Sequence, residues 1–172
     1  MPTDPAALPA PDFHSAAHKA LRVLLLQALH ALGRTDANDE SELQPALAQL
    51  DGLCHQVAGH MTGESRVVHT AIEARRPGGA ATSTHSHGEL LEALATLQEE
   101  AVALRRAPGA ERGARAQRLY RRLALFTGDK LLHMAHEEAH DALLLQGLYG
   151  AAELAAIHAR QRSGLRATPP TS

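Results

Sequence analysis

The sequence predicts an all-α fold, a helical bundle that forms one domain. Alanine and leucine dominate the 172 residues, aromatic side chains make up only 2%, and β-branched residues are sparse. Such a composition favours helices over strands. Five segments carry apolar residues at the three- and four-residue spacing of amphipathic helices. The length is enough for one domain with a hydrophobic core and short for two.

The first two helices are indicated by caps as well as by periodicity. The first is predicted over residues 12–32, with Asp12 as its N-cap and Gly33 as its end. The second is predicted over residues 41–74, because the sequence S-E-L-Q at Ser41 resembles a capping box. A polar, turn-rich link joins them.

Three more helices complete the predicted domain of residues 12–165. A loop rich in glycine precedes a helix from about Thr84 to Arg106, which a Pro-Gly pair ends. The next helix is long, from about Glu111 to Gln146, and we expect either a bend, for which Gly128 is the candidate, or an N-terminal end that projects past the bundle. A short fifth helix covers about residues 151–162. Residues 1–11 and 166–172 are predicted to be a flexible lead-in and a flexible tail.

One short pattern, a histidine followed four residues later by a glutamate, occurs twice on the predicted inward stripes of the helices. The pairs are His60 with Glu64 and His133 with Glu137. On a helix this spacing places both side chains on one face, here within an apolar stripe. A buried carboxylate without a partner is costly, and a divalent ion would satisfy both groups of each pair. The pattern therefore predicts metal ligands.

Two further histidines, His18 and His87, lie on the inward stripes of the first and third predicted helices. Four helices would thus each direct at least one imidazole to the core. Imidazole and carboxylate donors suit iron, manganese or zinc and do not suit copper(I). Two carboxylates from opposed helices can bridge a pair of ions, and bundle cores are known hosts for such sites. We therefore expect two iron ions, with zinc or manganese as alternatives.

The segments FHSAAHKALR, HMTGE, HSHGELLEAL and LLHMAHEE resemble the ligand-bearing helices of hemerythrin-like HHE cation-binding domains. The resemblance extends from Phe13 to Leu165. It implies an up-down four-helix bundle, here with a short additional C-terminal helix, around a non-haem di-iron centre that an oxo group can bridge. It implies Glu64 and Glu137 as the bridging carboxylates. The metal ligands that it implies are His18, His60, Glu64, His87, His133 and Glu137.

Some positions depart from the family pattern or extend it. Oxygen-carrying members have a second histidine one turn before the third-helix ligand, where this chain has Ser83, so one coordination position is expected to be open or filled by water. Aromatic residues, which line the oxygen pocket of the carriers, are scarce. We therefore expect binding or sensing of oxygen, peroxide or nitric oxide, or iron handling, rather than reversible oxygen carriage. Three more residues are additional candidate ligands: Glu138, His14 and His136.

Two alternative functions remain open at this point. Residues 136–140 spell HExxH, the zinc motif in which His136 and His140 hold the metal of a metallopeptidase and the glutamate activates water. A peptidase would also need a third ligand and a substrate cleft, commonly edged by a strand, and no convincing strand is predicted. The other alternative is a metal-free helical bundle that acts as an interaction module.

Charge and composition argue against a nucleic-acid-binding, membrane or secreted protein. The net charge of −2 gives no electrostatic case for nucleic acid or for an anionic membrane surface. No apolar run approaches the roughly 20 residues of a membrane span, and the N-terminus does not resemble a secretion signal. The single cysteine, Cys54, is compatible with a reducing cytoplasm, where we expect the protein. A protein partner is not indicated. One basic stripe is predicted to be a solvated helix face: Arg112, Arg115, Arg118, Arg121 and Arg122.

Overall fold

A computed structural model describes the backbone of residues 13–166 and the side chains of residues 13–163. Every regular element within this range is helical, which confirms the predicted all-α class. The α-helices are α1 (Ser15–Arg34), α2 (Glu40–Glu64), α3 (Thr70–Arg75), α4 (Ala81–Arg105), α5 (Gly109–His136), α6 (Ala142–Leu148) and α7 (Ala151–Arg166). Two π-helical turns, π1 (Ser65–His69) and π2 (Glu137–Asp141), join α2 to α3 and α5 to α6.

The helices form four rods and one additional helix. The continuous rod α2-π1-α3 and the rod α5-π2-α6 stand beside α1 and α4. Contacts run from α1 to α2, from α2 to α4, from α4 to α5 and from α5 back to α1, which closes the bundle. The last helix, α7, packs on α2 and π1. This is the expected four-helix bundle with a C-terminal helix.

Two apolar clusters fill the bundle, one toward each end. The larger cluster contains Leu21, Met61, Leu90 and Met134, one from each rod, among many leucines. The smaller cluster contains Phe13, Val68, Ala80 and Leu145, again one from each rod, together with residues of α7. The candidate ligands lie where the two sets meet: His18, Glu64, His87 and Glu137 fall between them in sequence, and His60 and His133 directly precede Met61 and Met134 of the larger cluster. A polar layer thus separates two apolar cores.

Several predicted helix ends are wrong by a few residues. The first helix begins at Ser15, after the described residues Phe13 and His14, and it continues past Gly33. The cap of α2 is Asp39, whose side chain accepts a hydrogen bond from the backbone N–H of Ser41 at 2.8 Å. An aspartate before the first turn satisfies a free N–H group that the predicted serine cap would have served.

The long fourth helix is interrupted at a different place from the one predicted. Helix α5 runs through Gly128 without a break, and the α-helical pattern changes at π2, residues 137–141. Both π turns begin at or directly after a glutamate of the candidate centre. Single π turns within α-helices often mark functional sites. The predicted lead-in 1–11 and residues 167–172 of the predicted tail lie outside the described residues.

The basic stripe of α5 is paired with acidic side chains. Arg112 lies 2.9 Å from Glu40, and Arg118 lies 3.1 Å from Glu100. Arg122 approaches the same Glu100 carboxylate at 3.3 Å. Because these pairs are near the surface, each stabilises the fold only weakly. Among the helices of residues 13–166, none is long and apolar enough to cross a membrane.

Candidate metal centre

The structure brings all six predicted ligands into the polar layer between the two apolar clusters. Each is at most 6% exposed. One comes from α1, two from the first long rod, one from α4 and two from the second long rod. The residues are His18, His60, Glu64, His87, His133 and Glu137. The six residues that the sequence singled out therefore meet in one buried layer, and their binding of metal stays a prediction.

The carboxylate of Glu64 lies against imidazoles from two helices. Its Oε2 is 3.0 Å from Nε2 of His60, and its Oε1 is 3.5 Å from Nε2 of His18. The two imidazole Nε2 atoms are themselves 3.1 Å apart. Donor atoms that each lie about 2.1 Å from one ion are roughly 3 to 3.5 Å from one another. These three side chains therefore have the spacing of ligands to one ion.

Glu137 occupies the equivalent place on the rod α5-π2-α6. It contacts both halves of the layer, of which one contains His18 and His60 and the other contains His87 and His133. Its Oε1 is 3.1 Å from Nε2 of His133 and 3.2 Å from Nε2 of His87. Its Oε2 is 3.5 Å from Nε2 of His18. Glu64 crosses in the other direction, with Oε2 at 3.7 Å from Nε2 of His87. Both carboxylates thus touch imidazoles of both halves.

Three groups of donor atoms meet the distance limits of a metal site within the described residues, and two of them share Glu137. The first group consists of His14, His18, Glu64 and Glu137, with one atom from each within 4.8 Å of all the others. The second consists of His69, His87 and Glu137 under the same limit. A carboxylate common to two sites is the arrangement needed to bridge two ions. All the members of both groups are buried.

His14 belongs to the centre more fully than its sequence position suggested. The sequence indicates His14 only as an additional candidate ligand. Its side chain is 2% exposed, and its Nδ1 lies 3.0 Å from Oε1 of Glu64. The residue directly precedes α1, so its ring can turn into the layer beside His18, on which it stacks with ring centroids 5.0 Å apart.

His69 is a buried histidine of the centre that the sequence did not reveal. It follows Glu64 by five positions, and on a regular α-helix it would face away from that glutamate. The π1 turn closes i to i+5 hydrogen bonds and so returns the fifth residue to the same side. The ring of His69 consequently lies 4.7 Å from that of His87, centroid to centroid.

Ser83, the position where a family histidine is missing, serves a buried carboxylate instead. Its hydroxyl donates a hydrogen bond of 2.6 Å to Oδ2 of Asp141, a residue of π2 that is 1% exposed. Neither Asp141 nor its link to Ser83 was predicted. A third unpredicted feature is Lys130, one turn before His133, whose side chain is wholly buried.

Two ligand candidates are held in place by partners outside the centre. Oε1 of Glu138 lies 2.9 Å from Nδ1 of His18, and the same carboxylate is paired with Arg22 at 2.9 Å. The hydroxyl of Ser65 lies 2.8 Å from Nδ1 of His87. Hydrogen bonds to the second ring nitrogen fix the orientation of a ligating imidazole. Glu138 therefore lies outside the centre as an orienting residue and is not placed as a ligand.

The HExxH string does not form a peptidase site in this structure. Its glutamate, Glu137, is 1% exposed and contacts His87 and His133 in the buried layer, so it is not available to activate water beside His136 and His140. His136 is half-buried and lies outside the two groups of the centre. Glu137, the carboxylate of the motif, thus belongs to the buried centre, whereas His136 and His140 lie outside it.

Both central carboxylates are held in the charged form. Burial would raise the pKa of Glu64, but contacts from His14, His18 and His60 outweigh burial and place it well below the usual value. Burial likewise opposes the charged form of Glu137, yet the neighbouring imidazoles lower its pKa to about 2. Charged carboxylates are the form that binds a cation.

The surroundings shift the pKa values of the buried histidines in two directions. Burial lowers the pKa of His133 and the pKa of His69, so both rings favour the neutral form that can donate a lone pair to a metal. Burial also disfavours the charged form of His14, but its hydrogen bond to Glu64 raises the pKa above the ordinary value. In the metal-free chain, a proton on His14 thus offsets part of the carboxylate charge.

Several buried polar atoms of the layer make no hydrogen bond of good geometry within the described part of the chain, although three of them lie 3.0 to 3.5 Å from an atom of opposite polarity. They are Oε2 of Glu64, Oε2 of Glu137, Nε2 of His69 and Nε2 of His133. Buried polar atoms are nearly always satisfied, and leaving one unpaired costs about 1 to 3 kcal/mol. Metal ions would satisfy these lone pairs together. The residues present therefore fit a metal centre.

Comparison with known proteins agrees with this geometry. The model of the hemerythrin HHE cation-binding domain matches residues 12–141, which is 130 of the 172 residues. No curated protein matches the chain. The family match and the buried His/Glu groups identify a metal-binding protein. The chain belongs to the hemerythrin HHE cation-binding domain family.

Proposed function

We propose that the centre holds two iron ions and that the protein binds or senses oxygen or a related small oxidant, such as peroxide or nitric oxide. The observation that carries the proposal is the sharing of Glu137 by two buried donor groups. One group can hold one ion and the other its neighbour, with Glu64 as a second carboxylate close to both halves.

The donor set supports iron. Imidazoles and carboxylates suit iron and also suit zinc and manganese. The metal analysis described below distinguishes these three metals. Two buried carboxylates supply negative charge that offsets the positive charge of the ions. An apolar core without these carboxylates would exclude the ions. Iron, when bound, would supply the ability to exchange electrons with a small oxidant.

The surrounding residues would position the ligands and limit the entry of water. Ser65 and Glu138 fix the rings of His87 and His18 through their second nitrogen atoms. The apolar clusters on both sides of the layer leave the ligands buried. Such rigid, dry surroundings favour binding of a small apolar or diatomic molecule over exchange with bulk water.

A cleft offers a route to the centre. It has a volume of about 510 Å³ between α4 and α5, and its wall includes Leu90, Leu132 and His133. Because His133 is also part of the buried layer, a small molecule in this cleft reaches the edge of the centre. A small oxidant in this cleft would therefore lie beside one ligand ring of the proposed centre, whose Nε2 atom is itself buried.

We propose a cytoplasmic location, with which the single cysteine is compatible. Cys54 is 1% exposed, and burial, together with the nearby Asp51, raises its pKa to about 12. A buried and protonated thiol is inert, and unpaired cysteines are usual in reducing compartments.

The test is elemental analysis of freshly purified protein combined with an ultraviolet-visible spectrum before and after exposure to air. We expect two irons per chain and oxo-bridged ferric absorption that appears or changes with air. His60→Ala should lose iron, while His55→Ala, an exposed histidine on the same helix, should retain it. One zinc per chain with a featureless spectrum would contradict the proposal, as would equal iron in both variants.

A further inference from the structure

A second set of metal-type side chains lies beside the buried centre and is not used by it. His136, His140 and Asp141 each offer one donor atom within 4.8 Å of the other two. The rings of His136 and His140 are stacked, with centroids 4.9 Å apart and planes inclined by 20°. We call these three residues the outer cluster.

The π2 turn explains why these residues meet. His136 and His140 are four positions apart, which places them on one side of a helix. Asp141 follows His136 by five positions, and on a regular α-helix it would point elsewhere. Since π2 closes i to i+5 hydrogen bonds over residues 137–141, it brings the fifth residue back toward His136. The same turn directs Glu137 toward the buried centre. The ligands of that centre are therefore a different set from the outer cluster.

The carboxylate of the outer cluster is fixed in place. Asp141 is 1% exposed, accepts a 2.6 Å hydrogen bond from the Ser83 hydroxyl on α4 and lies 2.8 Å from Nδ1 of His140. Nε2 of His136 is buried and has no hydrogen-bond partner within residues 13–163. A buried ring nitrogen without a partner is costly, and an ion bound by its lone pair would satisfy it.

An ion can reach the outer cluster from solvent. The side chain of His140 is 48% exposed. His136 lines the same cleft as His133, so the cleft connects the outer cluster with the edge of the buried centre. Two carboxylate residues, Glu89 and Asp129, also line this cleft. Negative charge in a cleft raises the local concentration of cations.

We propose that His136, His140 and Asp141 bind one divalent first-row transition-metal ion, separate from the buried centre and beside the cleft that His136 lines. Two imidazoles and one carboxylate suit Zn²⁺ or Fe²⁺, and water completes the coordination of such an open site. The proposed site does not involve Glu137, whereas the peptidase hypothesis for residues 136–140 requires this glutamate. The site stands independently of which metal the buried centre holds.

The test is a calorimetric titration with Zn²⁺ of protein that has been saturated with iron and freed of excess ion. We expect one further equivalent of Zn²⁺ per chain, with the iron content unchanged by elemental analysis. His140→Ala should lose that equivalent, and it should fold because the side chain is largely exposed. Asp141→Asn, which keeps the size of the side chain, should weaken the same binding event.

A matched control distinguishes a built site from an ordinary surface pair. His85 and Glu89 form an exposed i, i+4 pair on α4, with 3.5 Å between Nε2 and Oε1. His85→Ala should retain the further equivalent. Loss of Zn²⁺ binding in this control to the same degree as in His140→Ala, or a full equivalent retained by His140→Ala, would overturn the proposal. So would the absence of a further equivalent in the unmodified chain.

A second pair of variants separates this site from the proposed iron centre. His60→Ala should lose iron yet still show Zn²⁺ binding that disappears when His140→Ala is added to it. If the unmodified chain takes up no iron but retains binding that depends on His140, the proposed function fails and the outer site stands. If His60→Ala abolishes the binding that depends on His140, the two sites are not separate and this inference fails.

Discussion

Replacing Lys130 by methionine is expected to stabilise the metal-free protein. The Lys130 side chain is fully buried, and its Nζ has no hydrogen-bond partner among the described residues. Burial lowers the pKa of Lys130 more than the charges of Glu137 and Glu64 raise it, so its charged form is disfavoured in the fold. An unpaired buried polar group costs about 1 to 3 kcal/mol. Methionine fills a similar volume without that cost.

The expected gain in the free energy of unfolding is therefore about 1 to 3 kcal/mol at neutral pH, or roughly 2 to 4 °C in Tm for each kcal/mol. The gain should depend on pH. Above the ordinary lysine pKa of 10.5, both the folded and the unfolded chain carry a neutral amine and no charge penalty exists. As pH falls below this value, the unfolded state binds the proton first and the folded state loses stability. The benefit of methionine should consequently shrink as pH rises toward this value.

Urea denaturation of chelator-treated protein at several pH values measures this gain. The control is Lys19→Met, because Lys19 is exposed on α1 and is the other lysine of the sequence. The control should leave stability nearly unchanged. A Lys130→Met variant that is less stable than the control would refute the reasoning, since it would mean that the amine makes a favourable interaction in the fold.

Three further outcomes are expected of the metal centre. Ser65→Ala removes the partner of Nδ1 of His87 and should weaken metal affinity about 10- to 100-fold in competition with a chelator; unchanged affinity would show that the hydroxyl does not orient the ring. Chelation should lower Tm in calorimetry, because an ion at 100 times its Kd stabilises the native state by about 2.7 kcal/mol; an unshifted Tm would indicate that no metal is held in the core. Metal content measured against pH should fall as the histidines take up protons, while Glu64 and Glu137, with lowered pKa values, stay charged. Since burial lowers the pKa of His133, protons compete there only below its ordinary value of 6.5, and a metal content that stays constant far below that pH would contradict the assignment.

The helical period was sufficient to find most of the buried layer. His60 and Glu64 lie one turn apart in a regular stretch of α2, so the spacing rule applies to them without correction. The same is true of His18 among the leucines of α1. Where the backbone is a regular α-helix, the sequence therefore predicted the fold and the side chains that meet in the buried layer, and their binding of metal stays a prediction.

The residues that were missed have local physical causes. His69 and Asp141 lie within π turns, and a rule based on the α-helical period assigns them to the wrong side. His14 was named only as an additional candidate ligand, because it lies beside the predicted start of the first helix, and the structure places it directly before α1. Lys130 fits the inward period with His133, but a lysine is normally assigned to solvent because burial of its charge is costly.

Anomalous diffraction at the iron edge from crystals of iron-loaded protein tests the central claim most directly. The claim is that two buried donor groups share the carboxylate of Glu137. We predict two iron peaks, roughly 3.5 to 4 Å apart, with Glu137 bound to both. A single peak, or two peaks of which neither contacts Glu137, would contradict it.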